Sequence, residues 1–104
     1  MALGLEKGFR VGGAAANVRE LLALCVRHRP DVVIVGQRLP PKGGKVAIAN
    51  LIDRFPRIRP VLLVTDPIGN GVVGAIRAGA QACLFPDTSL EECVRILRRV
   101  HGRP

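Results

Sequence analysis

The sequence contains no tryptophan and no tyrosine, and only three of its 104 residues are phenylalanine. Its hydrophobic share is still 48%, so a core must be built from Val, Leu, Ile and Ala. No apolar run approaches the roughly 18 residues that a membrane-spanning helix needs. The start of the chain also lacks the basic and apolar regions of a signal peptide. These absences, with a length that suits one domain, predict a single globular domain in the cytoplasm, without a membrane segment.

Cysteine is scarce, and its three copies lie far apart in apolar segments. Cys25, Cys83 and Cys93 form no C-x-x-C spacing, and an odd number of distant cysteines does not indicate a disulfide framework. We interpret them as small buried hydrophobic residues. The chain also lacks a glycine-rich phosphate loop and any arrangement of a nucleophile with a base. We therefore expect no cofactor, no metal and no enzymatic activity.

Acidic residues are outnumbered 8 to 16 by Lys and Arg, which gives a net charge of +8. Such a balance favours polyanions as partners. Arginines are dispersed, however, and the tightest group contains Arg95, Arg98 and Arg99 near the end. No helix-turn-helix, zinc-finger or aromatic RNA-binding pattern accompanies this group. We interpret the three arginines as a candidate interaction surface, and the pattern does not favour nucleic acid as a partner.

Hydrophobic periodicity predicts strands alternating with helices. Asn17 with Glu20 and Ser89 with Glu92 have the spacing of helix caps. The segments 32–35 and 61–64 are apolar without alternation, so both of their faces must be covered, as in a parallel sheet between helices. The pattern predicts a doubly wound α/β domain of about four strands and four helices. The predicted strands are 9–15, 32–35, 61–64 and 82–85, and the predicted helices start near 17, 45, 69 and 89.

Several segments carry a resemblance to a known family in consistent order and spacing. They are Arg29-Pro30-Asp31-Val32-Val33, residues 36–40, Thr65-Asp66, residues 76–80 and residues 86–89. Over nearly the whole chain this arrangement resembles the receiver domain of NarL-type (LuxR-like) two-component response regulators. The resemblance implies a flavodoxin/CheY-like parallel sheet, of strand order 2-1-3-4-5, in a signalling protein.

The departures from the family pattern fall on its functional positions. The family's phosphoacceptor aspartate corresponds to Gly36, its lysine to Pro86 and its switch aromatic residue to Cys83. Only the switch hydroxyl has a match, at Thr65. The resemblance therefore implies a degenerate receiver site that cannot be phosphorylated.

The family's Mg²⁺-binding acidic pair ends its first strand, and only eight residues precede Phe9 here. Leu3 to Gly8 resembles the end of the family's first helix. We therefore expect the first strand and most of the first helix to be absent, so that the sheet has a gap or the strand at 9–15 moves beside Val32–Val35. Asp66 alone is typical of a turn or cap residue.

An uncovered sheet face would expose apolar surface and an unpaired edge to water. We therefore expect a homodimer or a protein partner on this face. A receiver remnant or fragment of a NarL-type DNA-binding transcription regulator is the first alternative function. An Arg-rich nucleic-acid-binding domain is the second.

Overall fold

The computed structural model describes residues 1–6, 10–66 and 71–102. Within these residues the chain forms five strands and four helices, which alternate from β2 onward. No helix among them has both the length and the apolar character needed to cross a membrane. The strands are β1 (Ala2–Glu6), β2 (Arg10–Ala15), β3 (Val32–Gly36), β4 (Arg59–Leu63) and β5 (Ala82–Leu84), and the helices are α1 (Val18–His28), α2 (Gly44–Arg54), α3 (Gly71–Ala78) and α4 (Leu90–His101).

The strands form one sheet in the order β2-β1-β3-β4-β5. The pairs β3–β4 and β4–β5 are parallel, and their registers place Ile34 beside Val61 and Leu62 beside Cys83. The crossovers α2 and α3 connect these parallel strands, as the alternating pattern requires. The predicted α/β, flavodoxin/CheY-like class is therefore confirmed.

The expectation of a helix end at Leu3–Gly8 and of a gap in the sheet is wrong. Residues Ala2–Glu6 form β1, which lies between β2 and β3 and is antiparallel to both. The alternative expectation, that the strand at 9–15 lies beside Val32–Val35, is wrong for the same reason. The physical reason lies in β3, all five residues of which are buried. Its backbone groups on that side need hydrogen-bond partners, and the segment preceding β2 supplies them as a strand. Residues 7–9, which include the predicted start of β2, lie outside the described residues.

The predicted helix caps are confirmed at α1 and α4. Asn17 Oδ1 accepts a hydrogen bond of 2.9 Å from Glu20 N, and Glu20 Oε1 accepts one of 3.2 Å from Ala16 N. Ser89 Oγ accepts a bond of 3.1 Å from Glu92 N. These bonds satisfy amide groups that a helix leaves unpaired in its first turn.

One glycine is required by the packing between α2 and α3. Gly79 ends α3 with a φ of 126°, and a Cβ there would lie 1.9 Å from Ile52 Cδ1. A side chain there would strain the backbone and would force the end of the Ile52 side chain to move. The predicted start of α3 at Gly69 lies outside the described residues.

The two faces of the sheet carry separate cores of unequal size. Counting only the side chains that the structure describes, one core has sixteen buried residues and lies under α1, α2 and α3, with Leu21, Ile48 and Leu62 among them. On the same count, the other core lies under α4 and has six buried residues. These six residues are Val32, Ile34, Val61, Leu84, Leu97 and Val100. On this face α4 packs over β3, β4 and β5, and no described helix lies over β2.

Candidate functional site

The candidate site lies at the edge of the sheet where the three parallel strands end. In open α/β sheets this edge carries the functional groups. Gly36 is the last residue of β3, Thr65 follows the end of β4, and Pro86 follows the end of β5. Cys83 lies within β5.

Gly36 has no room for a side chain. An ideal Cβ at this position would lie 2.7 Å from the carbonyl oxygen of Met1 and 3.2 Å from its nitrogen. The same carbonyl accepts a hydrogen bond of 2.7 Å from Gly36 N. The backbone leading into β1 therefore occupies the space beside Gly36 that a receiver's acceptor carboxylate would need.

Gln37 holds the loops after β3 and β4 together. Its Oε1 accepts hydrogen bonds from Thr65 N at 2.9 Å and from Asp66 N at 2.8 Å. Its Nε2 donates to Asp66 O at 3.0 Å. A carboxamide suits this task because it offers an acceptor and donors on one rigid plane. We call these three hydrogen bonds the Gln37 clamp.

Thr65 and Asp66 are exposed, and the Gln37 clamp fixes their backbone. The sequence singled out Thr65 but not Gln37. A polar residue directly after a buried strand was the only signal for Gln37, and that signal is common to many loops. The partners of Gln37 lie 28 and 29 residues away, so the local pattern does not reveal them.

Cys83 and Cys25 are thiols whose environment disfavours the thiolate. Burial raises the pKa of the Cys83 thiol, and burial raises the pKa of Cys25 to about 11. Cys83 packs against the larger core, and Cys25 is fully buried in it. A nucleophilic cysteine needs the opposite shift of its pKa, so neither residue is suited to covalent chemistry.

Pro86 lies in an exposed turn that connects β5 to α4. Thr88 Oγ1 accepts a hydrogen bond of 2.9 Å from Phe85 N, and Thr88 N donates to Phe85 O at 3.0 Å. These bonds set the turn that leads to the Ser89 cap. Pro86 has no amine with which to neutralise a phosphoryl oxygen.

The residues at this edge do not fit the Mg²⁺ ion that a receiver site uses. Magnesium requires carboxylate oxygens and near-octahedral geometry. Gly36 offers no side-chain oxygen, and Asp66, directly after Thr65, adds a single carboxylate. Among the described residues, no three His, Cys, Asp or Glu side chains are grouped so that they could hold a metal.

The three arginines singled out near the end of the sequence all lie on α4. Arg95 Nη1 lies 2.5 Å from Glu92 Oε2, and Arg95 Nη2 lies 3.8 Å from Glu91 Oε1. Arg98 and Arg99 are exposed. Arg95 is therefore already engaged with its own helix, and the interaction role expected of the three arginines stays a prediction.

The strand order, the parallel β3–β4–β5 unit and the site at its carboxyl edge define a receiver-like α/β domain. The chain is 35% identical over 97 residues to the uncharacterized transcriptional regulatory protein YhcZ of Bacillus subtilis, covering 93% of this chain and 45% of that protein. It is 31% identical over 98 residues to the DNA-binding transcriptional activator DevR/DosR of Mycobacterium tuberculosis, covering 94% of this chain and 45% of that protein.

Among solved structures, the receiver domain of the response regulator NarL from Mycobacterium tuberculosis superimposes with a TM-score of 0.80 at 27% identity. The match covers 93% of this chain and 80% of that one. No family model matches the sequence. Over more than 90% of its length the chain is therefore similar to the receiver domains of NarL/LuxR-type response regulators, as the motifs predicted. It spans less than half the length of the curated relatives named above.

Proposed function

We propose that this chain is a receiver-like signalling module that accepts no phosphoryl group and acts through protein–protein contact. The observation that carries the proposal is the geometry at Gly36. The position has no nucleophile, and the backbone of Met1 fills the space beside it, with its carbonyl 2.7 Å from an ideal Cβ. Pro86 supplies no ammonium group, and Asp66 alone does not make a magnesium site.

The Gln37 clamp supports a signalling role that does not depend on phosphorylation. A switch needs two arrangements whose balance a ligand or modification can shift. Here the loop after β4 is tied to the loop after β3 by three hydrogen bonds between 2.8 and 3.0 Å. These bonds favour one arrangement without any phosphoryl group. The module then acts as a constant surface rather than as a switch.

The contact surface that we propose is the flank of α4 that faces the uncovered part of the sheet. Leu90, Val94, Leu97 and His101 share one side of the helix by their spacing. His101 Nε2 lies 3.5 Å from Asp31 Oδ2, just before β3, so this side points toward β3 and β1. Leu97 is buried there, Val94 is half-buried and Leu90 is 81% exposed.

The neighbouring edge strand also lacks cover on this face. Ala15 on β2 is 4% exposed in the larger core, and Ala14 is exposed. Because neighbouring residues of a strand point to opposite faces, Ala14 lies on the face of α4. We define the α4 flank as Leu90 and Val94, which line one groove on α4.

A second copy of the chain is the occupant that the charges around the α4 flank favour. Glu91 and Arg98 line the same groove beside Leu90 and Val94. In a two-fold dimer each surface meets itself, so Arg98 of one copy can face Glu91 of the other. This mixed pair of charges suits self-association better than a surface of one sign would.

Sedimentation velocity of the wild-type chain and of Leu90→Glu tests the proposal. We expect the wild type to dimerise at micromolar concentration and Leu90→Glu to remain monomeric, because it buries a carboxylate in an apolar contact. Val26→Glu is the matched control, since Val26 is 65% exposed on α1, across the sheet, and should leave the dimer intact. A wild type that stays monomeric at high micromolar concentration contradicts dimerisation, and contact with a different protein then becomes the form to test.

A second candidate function is the receiver part of a DNA-binding transcription regulator. The observation that favours it is that this chain matches 45% of DevR/DosR, which is described as a DNA-binding transcriptional activator. The test is the full open reading frame at the locus, expressed and assayed for DNA binding. Specific binding that the 104-residue chain lacks would support this candidate, and a reading frame without a DNA-binding segment would end it.

A further inference from the structure

A cavity lies at the opposite edge of the sheet from Gly36, where β3 and β4 begin. It has a volume of about 410 Å³ and is bounded by the loop from α1 to β3 and the loop from α2 to β4. Arg59 N donates a hydrogen bond of 3.0 Å to Asp31 O and joins the two loops. The walls of the cavity are therefore held by the backbone of the fold.

Three arginines from the two loops line this cavity. Arg29, Arg54 and Arg57 are exposed, and within the part of the chain that the structure describes their guanidinium groups make no hydrogen bond or ion pair. Other arginines are engaged, such as Arg59, whose Nη1 donates to Val100 O at 2.9 Å and also to His101 O. Three unpaired cations around one cavity repel one another, and an anion between them would relieve that repulsion.

Helix ends explain only part of this cluster. Both α1 and α2 end at the cavity, and a cation near a helix C-terminus interacts favourably with the helix dipole. Arg54 in the last turn of α2 has this role, but Arg57 lies beyond the helix. Arg29 follows α1 with a φ of 44°, a conformation that glycine usually adopts at this position.

One carboxylate lines the cavity, and it does not cancel the arginines. Asp31 Oδ2 lies 3.5 Å from His101 Nε2 on α4. The partial charges at the two helix ends are about half an elementary charge each. Together with Asp31 they offset part of the three guanidinium charges and leave a positive field.

We propose that this cavity binds a phosphate-bearing anion. Guanidinium groups match phosphate oxygens with pairs of parallel hydrogen bonds. The wall between the arginines is apolar, since Pro30 is buried, Ile58 is 7% exposed and Phe55 is half-buried. The volume lies within the range of about 300–1,000 Å³ for small-molecule sites. A recess of this kind suits a small phosphate ester better than an extended polyanion.

The proposal is tested by calorimetric titration of the full chain at low salt with sodium pyrophosphate, ADP and adenosine. We expect pyrophosphate and ADP to bind and adenosine not to bind. Arg54→Gln/Arg57→Gln should weaken binding by about tenfold or more, because charge-assisted hydrogen bonds are lost. Arg19→Gln removes the same kind of charge about 15 Å from Arg29 along α1. Its dissociation constant should stay within about twofold of the wild-type value, since a distant exposed charge is screened.

Amide shifts in NMR spectra provide a second measurement that does not depend on the variants. They should be confined to residues 29–31 and 54–58. Equal affinity for pyrophosphate and ADP would identify the phosphate group as the whole ligand. Tighter binding of ADP that is lost in Phe55→Leu would identify an organic body packed on Phe55, and either result supports the site.

The absence of binding by pyrophosphate and ADP at low salt overturns the proposal. Binding by Arg19→Gln that is as weak as binding by the double variant also overturns the proposal, because affinity would then follow net charge alone. Arg57→Gln, at an exposed loop position, gives the same test if the double variant fails to fold. Anion binding at this cavity does not depend on the oligomeric state, so this proposal can fail while the proposed function holds.

Discussion

Gln37→Met removes the polar atoms of the Gln37 clamp and keeps a side chain of similar length. Three hydrogen bonds of 2.8, 2.9 and 3.0 Å are lost. Each intramolecular hydrogen bond contributes about 0.5–1.5 kcal/mol net. Because Thr65 and Asp66 are exposed, water replaces part of this loss. We expect the free energy of unfolding to fall by about 1–2 kcal/mol rather than by the full sum.

Urea unfolding followed by circular dichroism measures this change, with an unchanged dependence on denaturant. Hydrogen exchange at the amides of Thr65 and Asp66 locates it, since both donate to Gln37 Oε1. We expect these two amides to exchange about tenfold faster or more, because 1.4 kcal/mol of local stability corresponds to a factor of ten.

Two further variants separate the parts of the clamp. Gln37→Glu keeps an acceptor for both amides but places a carboxylate oxygen beside Asp66 O, so the amides should stay protected while stability falls. Arg38→Met changes an exposed neighbour and should shift stability by less than about 0.5 kcal/mol. Unchanged exchange of Thr65 and Asp66 in Gln37→Met would refute the clamp.

Three other changes test the packing around the site and the core. Gly36→Ala should destabilise the fold by about 1–3 kcal/mol in urea unfolding, since its Cβ meets Met1 O at 2.7 Å. Gly79→Ala should cost about 2–4 kcal/mol from contact and backbone strain, and Ile52→Val should restore part of it by removing the Cδ1 atom 1.9 Å away. Cys25, with a pKa of about 11, should resist iodoacetamide at pH 8, where only about one thiol in a thousand is ionised; labelling as fast as in unfolded protein would contradict its burial.

The parallel half of the fold could be predicted because its signals are local. Val32–Val35 and Val61–Val64 are apolar without alternation, and the structure buries β3 on every residue and β4 at its centre. Asn17 and Ser89 cap the helices that their spacing indicated. In each case the residues that carry the signal are the residues that make the contact.

Strand β1 could not be predicted from its own residues, because the strand β3 with which it pairs lies far away in the sequence. Ala2–Glu6 is a short segment containing Gly4, and its own pattern does not separate a strand from a helix end. The edge of β3, about 30 residues later, needs backbone hydrogen-bond partners. The segment Ala2–Glu6 supplies them as a strand, with Ala2 beside Val35 and Gly4 beside Val33. The resemblance to the family favoured the opposite interpretation, because Leu3 to Gly8 resembles the end of the family's first helix.

Some features of the candidate site could likewise be predicted from the sequence, and others could not. That Gly36 offers no carboxylate and Pro86 no amine can be seen in the sequence, since it depends only on residue type. The Met1 backbone beside Gly36, the Gln37 clamp and the cluster of Arg29, Arg54 and Arg57 depend on how separate loops meet. The spacing of residues in the sequence does not show which loops lie together until the strand order is known.

The central claim is that the chain accepts no phosphoryl group, and intact-mass measurement tests it most directly. The full chain and a receiver domain that retains its acceptor aspartate are incubated with acetyl phosphate or phosphoramidate and Mg²⁺. We expect the reference domain to gain the mass of one phosphoryl group and this chain to gain none. A phosphoryl group on this chain that hydroxylamine removes, as it removes an acyl phosphate, would contradict the account.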